Sequence, residues 1–155
     1  MVGSTLHQNE QRLIQQYNSH PLSTSKRILI VNYENDVNFA LKLVLERELW
    51  GRQDKSNYLK VDSFNDPILA LKHFQKEWYN LLIIAVVMPR MNGFDFAKEI
   101  RKIDDKVKIC FLIAGEIPNK LRIEPDCRHE ESHDKFIRLP IENDALMKEI
   151  DKIIV

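Results

Sequence analysis

From Arg27 onward, the apolar positions alternate between two patterns. Short unbroken runs rich in branched residues, RILIV (27–31), LLIIAVV (81–87) and KICFLIA (108–114), are the mark of strands buried on both faces. YLKVDSF (58–64) and the weaker KFIRL (135–139) complete five predicted strands. Between them the period lengthens to that of a helix. Asn35 is an N-cap candidate for DVNFALKLVLERELW, where Val37, Ala40, Leu41, Val44, Leu45 and Leu49 share a stripe. Gly51 closes that helix, and GRQDKSN is a linker.

Asp66 followed by Pro67 is a strong start signal for a helix over DPILALKHFQKE. GFDFAKEIRKI forms a helix presenting Phe94, Ala97 and Ile100, with Phe96 less firmly placed. IENDALMKEIDKIIV closes the chain with Leu146, Ile150 and Ile153 in register. The fourth unit is the weak one. Pro118 and Pro125 bracket only a short segment, which predicts a short or distorted fourth helix. Strands alternating with helices imply βα units, right-handed crossovers and a parallel sheet covered on both faces. The fold class is α/β, a small doubly wound domain.

Residues 1–25 read differently. They are polar, rich in Gln and Ser, and end in a loop-like stretch around Pro21, while Leu6, Leu13, Ile14 and Tyr17 make a thin helical stripe. The expected organisation is an N-terminal extension over 1–25, with helix as its candidate structure, and one domain over 26–155. The extension has no basic flank leading into an apolar run, so a secretory signal is not expected. No apolar stretch approaches the roughly 18 residues needed to span a bilayer. A cytoplasmic protein without membrane contact is the expectation.

Charge narrows the picture a little. Lys plus Arg and Asp plus Glu each number 23, so the formal net charge is zero, and nucleic-acid binding by bulk charge is not expected. Apolar residues make up 44% of the chain, which argues against disorder. Two cysteines, Cys110 and Cys127, do not make a disulfide framework. Cys110 lies in a buried run and reads as a small hydrophobe. Cys127, His129 and His133, with Glu130, Glu131 and Asp134, superficially suggest a metal site, but their stretch reads as a solvated loop. No Walker-type loop or GxGxxG appears, and NYEND is too poor in Ser, Thr and Gly to cradle a flavin phosphate. No metal and no cofactor is expected.

ILIVNYEND, LLIIAVVMPRMNGF, FLIAGE and FIRLPI follow one another in an order and spacing that resembles response-regulator receiver domains, the phospho-acceptor modules of two-component signalling. The resemblance spans about residues 26–155 and is most specific in MPRMNGF, where Pro89 and Gly93 match the residues that shape the loop beside the phosphorylation site. It implies a flavodoxin-like fold with strand order 2-1-3-4-5 and five flanking helices. It also makes a cis bond before Pro140 the expected form.

The family's chemistry falls on five positions, and none keeps its residue. The acidic pair that holds a divalent cation matches Asn32 and Tyr33. The phospho-acceptor aspartate matches Ala85, the Ser or Thr of the fourth strand matches Ile113, and the lysine before the proline matches Leu139. A methyl group cannot attack phosphorus, Asn and Tyr are poor magnesium ligands, and Ile and Leu offer a phosphoryl group neither charge nor donor. The sequence thus resembles a degenerate receiver with a vacated, largely apolar pocket, and Met88 and Met91 could help to close it. Asp36, Asp62 and Asp95 are the candidates for a displaced acceptor, and Asp36 and Asp95 have a simpler role in first helical turns.

Phe136 matches the aromatic that swings inward in working receivers. With Ile113 in place of a hydroxyl residue, apolar packing is expected to hold it inward, either as part of a switch locked in one state or simply as core. The leading expectation is a phosphorylation-independent signalling module that acts by protein–protein interaction, without enzymatic turnover. Its partner would be another signalling protein or a second copy, through the face of the fourth helix, fifth strand and fifth helix. One alternative is a small-ligand or redox-sensing module using the pocket around Tyr33, Ala85, Ile113 and Leu139. The other is an active acceptor that uses a displaced aspartate.

Overall fold

A computed structural model describes residues 26–50, 59–121 and 134–154. Five parallel strands, β1 (Lys26–Val31), β2 (Leu59–Phe64), β3 (Leu81–Ala85), β4 (Lys108–Ala114) and β5 (Lys135–Leu139), form one sheet in the order β2-β1-β3-β4-β5. Four α-helices flank it among the described residues: α1 (Asn35–Trp50), α2 (Pro67–His73), α3 (Gly93–Ile103) and α4 (Asn143–Ile154), the last being the predicted closing helix. Among the described residues of the fourth unit there is a 3₁₀ turn at Asn119–Leu121. Residues 1–25, the linker 51–58, and 122–133 with Cys127, Glu130, Glu131 and both histidines lie outside the described residues.

The strands lie where the apolar runs predict, because a strand covered on both faces has no polar side to show. All five residues of β3 are buried, as are the middle five of β4. Alternate side chains then sort into two layers. Leu29, Val31, Leu82, Ile84, Ile109 and Phe111 meet Ala70 of α2 and Phe96, Ala97 and Ile100 of α3. Ile28, Ile30, Leu81, Ile83, Cys110 and Leu112 meet Leu41 and Leu45 of α1 and Leu146, Met147, Ile150 and Ile153 of α4. Each fully buried Leu or Ile contributes about 1.5–3 kcal/mol by leaving water, before chain entropy is subtracted.

The helix starts follow local chemistry. The Asp66 carboxylate accepts the Ile68 N–H at 2.9 Å ahead of Pro67, the predicted cap. α2 ends at His73 because Phe74 turns to extended backbone, so QKE does not continue it. Asn35 is the first residue of α1 rather than the residue before it, a one-position shift of the kind that helix ends show. Ala40 of the predicted stripe is exposed, and Asn38 is buried in its place at 4% exposure. In α3 Phe96 is fully buried while Phe94 is half-buried, reversing the weight the spacing gave them.

Asp104, only 2% exposed, follows α3 and receives three backbone N–H groups: Glu77 at 2.9 Å, Lys106 at 3.0 Å and Val107 at 3.1 Å. Burial alone would raise its pKa, but these donors, with the Lys76 charge, hold it below the usual carboxylate value. The carboxylate thereby ties the α2–β3 connection, where Glu77 takes φ 61°, to the α3–β4 turn.

Candidate functional site

The carboxyl ends of β1, β3, β4 and β5 converge on a cleft of about 150 Å³. The segment after β1 supplies Asn32, Tyr33 and Glu34, and the first turn of α1 adds Val37. Ala85 and Val87 come from the end of β3, Leu112 and Ala114 from β4, Glu116 and Pro118 from the loop beyond, and Leu139 from the end of β5. A crevice outside the carboxyl ends of the strands, where the order reverses between β1 and β3, is the usual binding place of such sheets.

Backbone bonds fix the β1 side. Asn32, 4% exposed, donates its N–H to Phe64 O at 3.2 Å, and its own carbonyl accepts Asn38 Nδ2 at 2.7 Å. Asn38 Nδ2 also reaches Phe64 O at 3.4 Å, so one buried amide joins the ends of β1 and β2 to α1. Its place was readable, because Asn38 stands three and seven residues before Leu41 and Leu45 on one helical face. Asn32 Oδ1 turns back toward the Glu34 N–H at 3.5 Å, the local habit of an Asx side chain.

The β3 side is set by MPRMNG. Gly93 donates its N–H to Val86 O at 2.8 Å, and a Cβ there would lie 2.3 Å from the Ala85 carbonyl oxygen, so only glycine permits this approach. Asn92 caps α3 by accepting the Asp95 N–H at 2.9 Å and donates Nδ2 to the Asp95 carboxylate at 3.0 Å. Arg90 takes φ 71° and pairs with Asp66 at 2.7 Å, linking this loop to the cap of α2. The bond before Pro140, at the end of β5, is cis.

Four of the five positions singled out by resemblance, Asn32, Tyr33, Ala85 and Leu139, line the cleft together. Ile113 does not. It packs in the α2/α3 layer with Phe111, because successive strand side chains point to opposite faces and the cleft takes Leu112 and Ala114. Met88 and Met91 also pack in that layer, so neither closes the cleft. The lining is mixed, with Val37, Ala85, Val87, Leu112, Ala114, Pro118 and Leu139 as its apolar part. Glu34, the acid next to Tyr33 in NYEND, and Glu116 join Asn32 and Tyr33 in the lining.

The expectation of an inward Phe136 is corrected. The residue is 47% exposed, and its ring stacks on Phe111 with centroids 5.3 Å apart. The two residues are register partners, so their rings lie side by side on one face of the sheet. Phe111 is itself buried and engaged edge-on by Phe94 at 5.0 Å, so the interior place beside β5 is filled.

The displaced carboxylates have other settings. Asp36 is exposed in the first turn of α1, Asp95 is engaged with Asn92, and Asp62 Oδ2 accepts the Tyr79 hydroxyl at 3.0 Å. None of the three lines the cleft. Burial, then the Asp62 charge and hydrogen bond, push the Tyr79 phenol well above its ordinary pKa. Burial likewise pushes the Cys110 thiol up to about 12. Among the described residues, no group of three or more His, Cys, Asp or Glu is placed to hold a metal ion. No helix among them is long and apolar enough to cross a membrane.

Comparison with known proteins agrees with the topology. The family model described as "Response regulator receiver domain" matches residues 28–151. The response regulator receiver protein CpdR of Brucella abortus (strain 2308) is 30% identical over 130 residues, covering 84% of this chain and 98% of the relative. Among solved structures, the non-phosphorylated HemR receiver domain of Leptospira biflexa superposes with a TM-score of 0.65 at 22% identity, covering 83% of this chain and 94% of that one. The structure of the histidine kinase ThkA in complex with the response regulator TrrA gives a TM-score of 0.63 at 27% identity, with 84% and 99% coverage.

Proposed function

The chain belongs to the response regulator receiver family, and from that premise we propose that it is a degenerate member, a signalling module acting by protein–protein recognition without being phosphorylated. The observation that carries this reading is Ala85. It ends β3 in the cleft, where a phospho-acceptor would need a carboxylate, and Asp36, Asp62 and Asp95 all lie outside the lining. Leu139 brings no charge to the same cleft, and Asn32 and Tyr33 make a poor magnesium site. The proposed module is residues 26–155 and turns over no substrate, and 1–25 is an extension to it.

The partner is another signalling protein, as TrrA is paired with a histidine kinase, or a second copy. Exposed apolar groups support recognition at the cleft mouth, where Tyr33 is 45% and Val87 40% exposed, and on β5, where Phe136 stands out. The test is to incubate the protein with acetyl phosphate and Mg²⁺ and weigh it intact. An unchanged mass is expected. A gain of one phosphoryl group, lost in mild base, overturns the proposal and reinstates a displaced aspartate.

A second reading is favoured by the cleft itself: a small-ligand sensing module that uses the space at the strand ends. The redox variant of this reading gains no support from Cys110, which is buried and whose pKa is raised.

A further inference from the structure

We infer that the cleft binds a short organic cation, an ammonium group on a small hydrocarbon body. This deepens the small-ligand reading above and rests on it. The first ground is charge. Two glutamates, Glu34 and Glu116, belong to the lining, and among the described residues no Lys, Arg or His does. Topology sets them apart. Glu34 follows β1 and Glu116 follows β4, and those two strands flank β3, so the two residues stand on either side of the strand that ends in Ala85.

The second ground is the wall between them. Val37, Ala85, Leu112 and Leu139 give the cleft an apolar side that a hydrated metal ion could not use. Mg²⁺ needs about six oxygens and keeps several waters, whereas among the described residues no third His, Cys, Asp or Glu joins the two glutamates. An ammonium on a hydrocarbon body uses both features: its hydrogen bonds to carboxylate are charge-assisted, and its carbons cover the apolar wall. A space near 150 Å³ suits a body about the size of benzene.

An anion is the wrong class. The N-terminus of α1 adjoins the cleft, but Asp36 in its first turn already answers that dipole. Arg138 is not in the lining and spends its guanidinium on Gly115 O at 3.0 Å.

The test uses the full chain, ¹⁵N-labelled, titrated with n-butylammonium chloride against sodium chloride at equal ionic strength, with butanol and butyrate as neutral and anionic counterparts. Saturable amide shifts confined to 32–37, 85–87 and 112–118 are expected with butylammonium. Binding should weaken about tenfold in a Glu34→Gln/Glu116→Gln variant, whose glutamines keep the shape but lose the charge. Butanol or butyrate binding as tightly, or a variant that binds butylammonium unchanged, overturns the cationic class while leaving a ligand cleft. No saturable shift with any of the three overturns both the inference and the small-ligand reading.

Discussion

The α-carbon of Gly93 sits so close to the Ala85 carbonyl that a Cβ would be 2.3 Å from that oxygen. The obstacle is backbone, which cannot rotate away. Gly93→Ala should therefore destabilise the fold by about 1–3 kcal/mol, the cost of overpacking, by forcing α3 from the end of β3. Urea unfolding checks this, and a domain of this size should lose about 2–4 °C of Tm per kcal/mol. An unchanged midpoint would mean that the approach is looser.

Asp104 predicts an acid limb in the stability curve. Its folded pKa lies below the unfolded value of 3.8, so the unfolded chain binds the proton more readily. The stabilisation is fully present above that unfolded value and disappears as pH falls through the folded one. Asp104→Asn should cost about 1–3 kcal/mol at neutral pH, because a neutral oxygen replaces a charged acceptor of three N–H groups. It should also flatten the loss below pH 4, which chemical denaturation at pH 2.5, 4 and 7 would measure.

Two phenylalanines should behave oppositely. Phe96 is fully buried, and Phe96→Ala should cost about 3–5 kcal/mol. Phe136 is half-exposed with its face on Phe111, so Phe136→Ala should cost about 0.5–1.5 kcal/mol. Equal losses in guanidinium titrations would contradict the exposed placement of Phe136.

In a Cys127→Ser variant the remaining thiol, Cys110, should stay silent to iodoacetamide at pH 8 in the folded protein. It is buried with a pKa pushed up to about 12, so almost no thiolate is present. Labelling should appear only with denaturant. Rapid labelling of the native protein would show that β4 opens.

The sheet was legible because β1, β3 and β4 are buried on both faces and so appear as unbroken apolar runs. Asp66 and Pro67 named the start of α2 by chemistry that is purely local. The site was legible only in part. Parity along β4 would have turned Ile113 away from the cleft and brought in Leu112 and Ala114, since strand side chains alternate. Glu34 was signalled by its place directly after Asn32 and Tyr33, whereas Glu116 had no such signal, because it lies in a loop whose path depends on the packed strands. Phe136 was misjudged for a related reason. What occupies the interior beside it is Phe111, a residue of the neighbouring strand.

The sheet also acts as a partition. Among the described residues, the buried side chains of the α2/α3 layer and of the α1/α4 layer form two separate clusters. Damage on one side should then be invisible to the other: the free-energy losses of Leu45→Ala and Phe96→Ala should sum in the double variant, within about 0.5 kcal/mol. Phe96 with Ile100, confined to one compartment, should not sum. A domain built this way can have one layer remodelled by substitution while the other keeps the fold.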